Sequence, residues 1–372
     1  MAARVRRFAY AATLTLLLGV AALPVPATAV PARPSPGGYL DLTPRGGESR
    51  AVRISSAGYV AGNAAPVPDG TFTGFLRSPS GVTRALGPLG PHAQAVNDRG
   101  DAVGCTAGGI GLYWHGGTLT YLTRPGRSTC LYAINDAGRI AGASAAPGGG
   151  EQAFVWQDGR YTDLATPAGL ASAPIAINDR GQVLGRLFGT TSSVPVRAVR
   201  WSGGTRTDLG TLGGTQAIPT ALAEDGSAVG TSTDAAGRSR PFRWSGGRMT
   251  DLLAGTGVDD PDAYAAGLNA AGDVVGTVTN RPVLWRGGTL TYLADAGEAT
   301  AVNAGGAVTG VVRGPDAAPA VFRWENGSLT RLPNPPGATY CYAVGIDDRG
   351  TVVGNVALGD VNHAVLWRAQ PK

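Results

Sequence analysis

A single lysine, three histidines and three cysteines in 372 residues leave little material for several kinds of chemistry. The arginines are scattered among glycine and alanine, so the net charge of +5 forms no continuous basic stripe of the kind a phosphate backbone requires, and nucleic acid is not an expected partner. Three cysteines are too few for a disulfide scaffold, and neither they nor the histidines stand at the short fixed spacing of a zinc site. The nucleophile elbow Gly-x-Ser-x-Gly is absent, and His92, His115 and His363 are far apart in the chain. Beyond residue 23 no apolar run reaches the roughly 20 residues that span a bilayer.

One apolar run does occur, and it is short. Arg4, Arg6 and Arg7 precede the stretch from Phe8 to Leu23, which Pro24 and "PATA" follow, the pattern of a secretory signal peptide. Residues 1–29 are therefore expected to be removed after Ala29, residues 30–38 to form a Pro/Gly-rich linker, and the rest to be a soluble secreted domain. Loss of the three leader arginines leaves 28 basic against 26 acidic residues, close to neutrality. Export permits one disulfide, with Cys105 and Cys130 the nearer pair and Cys341 left over; the alternative is that all three are small buried hydrophobes.

What the sequence has in quantity is repetition. The pattern Gly-x-x-x-Gly recurs with its second glycine at Gly62, Gly104, Gly142, Gly185, Gly230, Gly276, Gly310 and Gly354. All seven tryptophans, Trp114, Trp156, Trp201, Trp244, Trp285, Trp324 and Trp367, fall at one position of the same tile, and a leucine closes each tile. Within a tile, "AINDRGQVLG" reads as strand, type I turn, strand, with Asn97, Asn135, Asn178, Asn269, Asn303, Asp347 and Ser55 at the first turn position and Ala223 as the departure. "FVWQDGRYTDL" puts Asp-Gly between two further strands, a type I′ hairpin, and Gly-Gly serves the same need in other tiles. Four short antiparallel strands in about 42 residues are the content of one propeller blade.

The two ends of the chain predict a closed ring. "GYLDL", ending at Leu42, reads as a fourth strand, and "AVLWR" reads as a third, so the first residues supply what the last tile lacks. The expected fold is an all-β propeller over residues 39–372 with eight four-stranded blades, or seven if the first fails to form, since Arg77 stands where that blade's tryptophan should be. The repeated tryptophans and the segment "DLGTLGG" (208–214) are thereby read as structural.

The tiles resemble the HAF-repeat proteins. The resemblance rests on "TDLGTLGG" at 207–214, on the "AINDRGQVLG" hairpin and on strands such as "QAFVW" and "NHAVLW"; of the His-Ala-Phe motif itself, His363-Ala364-Val365 lacks the Phe and Ala153-Phe154 lacks the His. It covers nearly all of the mature chain, implies secretion and a propeller-like β fold, and brings no catalytic residues with it.

Candidates for function are what the repeat does not explain. Asp98, Asp136, Asp179 and Asp348 occupy equivalent turns and should stand apart around one face, not paired as glycoside hydrolysis requires. The segment "GTGVDDPDAY" (255–264) departs from the tile, and Asp259, Asp260 and Asp262 are close enough in sequence to share a hard cation such as Ca²⁺. With His92, Tyr264, Tyr340 and Tyr342 they make up the expected ligand face, since aromatic groups with a polar tip suit sugars, peptides or partner loops. The sequence thus predicts a secreted, non-catalytic, cofactor-free monomer presenting one face to an extracellular protein or glycan. A carbohydrate-active hydrolase or lyase with acids from different blades, and a structural element of the cell envelope, stand as alternatives.

Overall fold

The computed structural model describes residues 38–369 apart from 45–46, 68–69, 87–91, 190–193 and 315–317, together with two short strands, Ala22–Pro24 and Arg33–Pro34. The expected signal peptide lies largely outside the described residues; of it, Ala22–Pro24 pairs with the outer edge of the second blade. Eight antiparallel sheets follow one another along the chain, and no helix long and apolar enough to cross a membrane occurs among the described residues. Their innermost strands are Glu48–Ile54, His92–Val96, Thr129–Ile134, Leu170–Ile177, Gly213–Leu222, Tyr264–Leu268, Gly297–Val302 and Ala338–Ile346, in blades 1 to 8. The first blade forms despite its missing tryptophan, so the count is eight.

Closure is visible in two independent ways. Tyr39–Asp41 runs antiparallel to the third strand of blade 8, with Tyr39 opposite Trp367 and Asp41 opposite Val365. The apolar core is divided into eight clusters, each shared by two adjacent blades, and one of them joins Leu40, Leu42 and Leu366 of the last blade to Val60 and Phe75 of the first. A row of stacked sheets would leave its two end faces bare; a ring leaves none, and no strand edge at the joint is left open.

The repeated glycine has a steric cause. In every blade the innermost strand carries a bulge opposite the second glycine of Gly-x-x-x-Gly. A Cβ at any of the eight would lie within 2.6 Å of an inner-strand carbonyl oxygen, that of Arg50, His92, Cys130, Ala173, Ile218, Tyr264, Glu298 or Tyr342. The ring of Phe75, Phe154 or Phe242, or of Trp201 or Trp367, lies over the same space. Trp114, Trp201, Trp244, Trp285 and Trp367 are buried between blades, while Trp156 and Trp324 are half-buried there, so the tryptophans are packing and not a cage. Leu209 caps its outer strand through a backbone bond to Ala198 O, and Gly210 and Gly213 carry the chain at positive φ into blade 5, which makes "DLGTLGG" a structural tile. The Trp hairpins have positive φ at both central residues, as at Asp158 and Gly159, as type I′ demands.

The turn asparagines do more than cap. Asn135 Oδ1 accepts from Arg139 N within its own turn (2.8 Å), while Nδ2 donates across the blade boundary to Asn178 O (3.0 Å). Asn97, Asn178, Asn269 and Asn303 make the same crossing to the turn of the following blade. Ser55, Ala223 and Asp347 have no amide to donate, so the joints from blade 8 to 1, 1 to 2 and 5 to 6 lack this latch. A buried carbonyl and amide left unpaired cost about 1–3 kcal/mol each. Asn135→Ala is therefore expected to lower the unfolding free energy by about 2–3 kcal/mol, and Ala223→Asn, which supplies a missing donor, to raise it by about 1 kcal/mol. Denaturant melts of the two variants check both signs.

The ring joint carries its own polar fastening. Asn355 of blade 8 accepts from Ala51 N (2.7 Å) and donates to Ala51 O (3.0 Å), and Ser49 Oγ accepts from Ala364 N (2.9 Å). On the closing strand, Asp41 Oδ2 lies 2.9 Å from His363 Nδ1. Burial opposes the Asp41 charge, but hydrogen bonds from His363 and Thr43 outweigh it and hold the carboxyl below its ordinary range. A depressed folded pKa gives stability that is present above the unfolded value, near 3.9, and is lost as pH falls through the folded one. The melting temperature of Asp41→Asn should thus sit below that of the wild type by a constant gap above about pH 5, and the gap should close below about pH 4.

Candidate functional site

The bulge that the repeated glycine permits also fixes which residues share one level of the inner strands. The residue paired one step before the glycine-opposed position is, from blade 1 to blade 8, Arg50, His92, Cys130, Ala173, Ile218, Tyr264, Glu298 and Tyr342. Three of the residues singled out from sequence, His92, Tyr264 and Tyr342, thus stand at one level of the channel. The level is two-sided. Blades 6, 7, 8, 1 and 2 contribute Tyr, Glu, Tyr, Arg and His, while blades 3, 4 and 5 contribute the disulfide-bonded Cys130, the buried Ala173 and the exposed Ile218.

On the polar arc the side chains touch across blades. Tyr264 Oη donates to Glu298 Oε2 (3.0 Å), and the Arg313 guanidinium stands 3.8 Å from Glu298 Oε1. Burial pushes the Tyr264 phenol up, and the Glu298 carboxylate pushes it further; at Tyr342 burial does the same, with Glu298 and Tyr340 adding to it. Both phenols therefore remain protonated donors at neutral pH. Arg53 reaches the same crowd of side chains: it keeps contact with solvent, yet desolvation lowers its pKa, an effect the Tyr342 hydroxyl partly offsets. Tyr340 and Tyr342 are 51% and 41% exposed, unusual for aromatic rings on the innermost strand of a closed fold, and so available to a ligand. Glu298, Arg50, Arg53 and Arg313 were not singled out from sequence. Counting twelve residues back from each repeated glycine finds the whole level, Arg50 and Glu298 included.

The other candidates do not join this level. Asp259 turns away to Arg240 (2.7 Å) and Arg238 (3.0 Å). Asp260 is buried and accepts backbone bonds from Asp262 N and Thr279 N. Its oxygens are spent on the loop, and among the described residues no group of three potential ligands converges on a point, so Asp259, Asp260 and Asp262 do not form the Ca²⁺ site their spacing suggested. His115 and His363 each face a carboxylate, Asp101 (2.6 Å) and Asp41 (2.9 Å), inside their own blades. Cys105 and Cys130 are bonded, tying blade 2 to blade 3, and Cys341 is buried, its thiol pushed up to about 11 by burial.

The turn acids lie at the opposite end of the ring from the blade connections. They stand around one face as expected, but not apart. Asp98 Oδ1 accepts from Ala57 N, Asp136 Oδ1 from Asp98 N, Asp179 Oδ1 from Asp136 N, and Glu224 from Asp179 N. Burial, then the adjacent acids, raises the Asp136 carboxyl, and the same forces raise Glu224. These carboxylates hold turns together and are committed to backbone donors.

No protein-family model matches the chain, and no curated protein does, so the resemblance to HAF-repeat proteins rests on its motifs alone. Solved structures do match. The chain aligns with a puromycin-hydrolyzing peptidase of Mycobacterium tuberculosis at 13% identity and TM-score 0.51, covering 89% of this chain and 57% of that one. It aligns with the structure reported for two prolyl endopeptidases at 9% identity and TM-score 0.53, over 83% and 54%. The β-propeller domain of the Trilobed protease from Pyrococcus furiosus matches at 10% identity and TM-score 0.49, over 77% of this chain and 98% of that domain. The chain spans little more than half the length of the first two. These likenesses show the fold, and the aligned structures are those of peptidases. The expectation of a non-catalytic module that binds a protein or glycan is corrected by that finding.

Proposed function

We propose that this ring is a propeller of the peptidase type and works in peptide hydrolysis, its channel being the route by which an extended peptide reaches a hydrolytic centre carried outside the eight blades. The observation that carries the reading is the two-sided channel level. Tyrosine hydroxyls and Arg50 offer donors to peptide carbonyls, Glu298 accepts from peptide N–H groups, and the exposed Ile218 of the facing arc offers apolar surface to side chains. The likeness to structures of peptidases supports it. A channel also selects by width, admitting an unfolded segment and excluding a folded domain.

Fluorescence anisotropy with labelled unstructured decapeptides tests the proposal. Binding is expected at micromolar to millimolar peptide, weakened at least tenfold by Tyr342→Ala combined with Glu298→Gln and unchanged by Asp262→Ala. The same sequence held inside a folded domain is expected not to bind. Equal binding by the wild type and the channel variant, or none at all, overturns it.

A further inference from the structure

The closing joint has a second feature, on the face that carries the tight turns. A cavity of about 260 Å³ opens between blades 8 and 1, lined among others by Arg77, Ser78, Asp347, Arg349, Thr351 and Arg368. Arg349 and Arg368 come from blade 8, and the third arginine comes from the one tile that breaks the repeat: Arg77 pairs with Val60 at the position where Trp367 pairs with Val352 in the neighbouring sheet. A buried tryptophan would fill this space. The arginine leaves it open and turns it cationic.

The three guanidiniums have no opposing charge at contact distance: among the described residues none forms an ion pair with a carboxylate. Arg77 is only 5% exposed and is satisfied by neutral oxygens, Gly81 O (2.6 Å) and Thr83 Oγ1 (3.1 Å). Burial and then the nearby Arg368 charge work against its protonation. Asp347, the one acid in the lining, is buried, its carboxyl raised by that burial, and one oxygen is taken by Thr351 N and Arg349 N. A buried charge is ordinarily paired, and guanidinium forks match the two oxygens of a carboxylate or phosphate.

We infer that the cleft between blades 8 and 1 is an oxyanion-binding site, built on Arg77, Arg349 and Arg368, that takes a phosphate or carboxylate group and fastens the ring at its joint. The inference is independent of the channel reading. Because both blades supply ligands, occupancy should favour the closed ring by mass action.

Thermal melts at constant ionic strength test it with inorganic phosphate and, separately, with a short acetylated peptide bearing a free or an amidated carboxyl terminus. At 5 mM a shift of several degrees is expected for the wild type, and less than a degree for Arg349→Ala/Arg368→Ala, whose side chains are exposed and whose loss leaves the core intact. Arg77→Trp, which restores the repeat, should abolish the shift while folding normally. A phosphate response identifies a phosphate source; a response to the free but not the amidated peptide identifies a carboxylate. Equal shifts in wild type and double variant would be general salt stabilisation, and these or no shift at all overturn the site.

Discussion

Removing the residues up to Thr43 is expected to lower stability by on the order of 5 kcal/mol. Leu40 and Leu42 are 7% and 2% exposed and belong to the apolar cluster that joins blade 8 to blade 1. Burying a leucine is worth roughly 1.5–3 kcal/mol, and the deletion removes two, together with the Thr43 Oγ1 to Ser49 Oγ bond (2.8 Å) and the Asp41–His363 pair. It also bares the edge of Val361–Trp367, whose outward N–H and C=O groups then seek another strand. The truncated chain should melt at a clearly lower denaturant midpoint and elute partly as larger species. An unchanged midpoint and a monomeric profile would show that blade 8 closes without its fourth strand.

Gly310→Ala is the second large effect. Gly310 has an ordinary negative φ, so alanine meets no backbone penalty there; the whole cost is collision, because the added Cβ sits on the Glu298 carbonyl oxygen and 2.7 Å from Ala299 Cα. Backbone cannot rotate aside as a side chain can, and the inner strand of blade 7 must move. A loss of about 3–5 kcal/mol is expected. The control is Gly108→Ala: that glycine is exposed, has no positive φ and would bring its Cβ no nearer than 3.7 Å to Thr106 Oγ1, so it should be nearly neutral. The Gly310 variant should also lose the Tyr264–Glu298 contact, since Glu298 rides on the displaced strand.

Such steric demands leave their mark on the sequence wherever they recur at a fixed spacing. The eight blades, their closure and the structural role of "DLGTLGG" follow from anchors that keep register, because the spacing of a glycine, a turn asparagine, a tryptophan and a leucine is local information. The channel level is not local. Arg50 and Glu298 become neighbours of the tyrosines only once each inner strand is aligned by its bulge, although the constant offset of twelve residues from the glycine was present throughout. The acidic loop misled for the opposite reason: three carboxylates close in sequence looked like one site, whereas Asp259 is held by Arg238 and Arg240 from the preceding blade and Asp260 by backbone amides. The turn acids read as isolated because the preceding turn's N–H, which each one reaches, lies about forty residues back in the chain.

The three joints without an asparagine latch are not placed at random. In a ring of eight, the joint between blades 1 and 2 lies diametrically across from the joint between blades 5 and 6. At the first, the Asp98 carboxylate accepts from Ala57 N, as Asp136 and Asp179 accept at latched joints; at the second, Ala223 offers nothing, and the inner strands are tied by Thr220 Oγ1 to Ala265 O (2.8 Å). A line through these two joints divides the ring into blades 2 to 5 and blades 6 to 8 with blade 1, and every joint inside either half has an asparagine bonded across it. Bending along it would widen or narrow the central opening without breaking a single sheet.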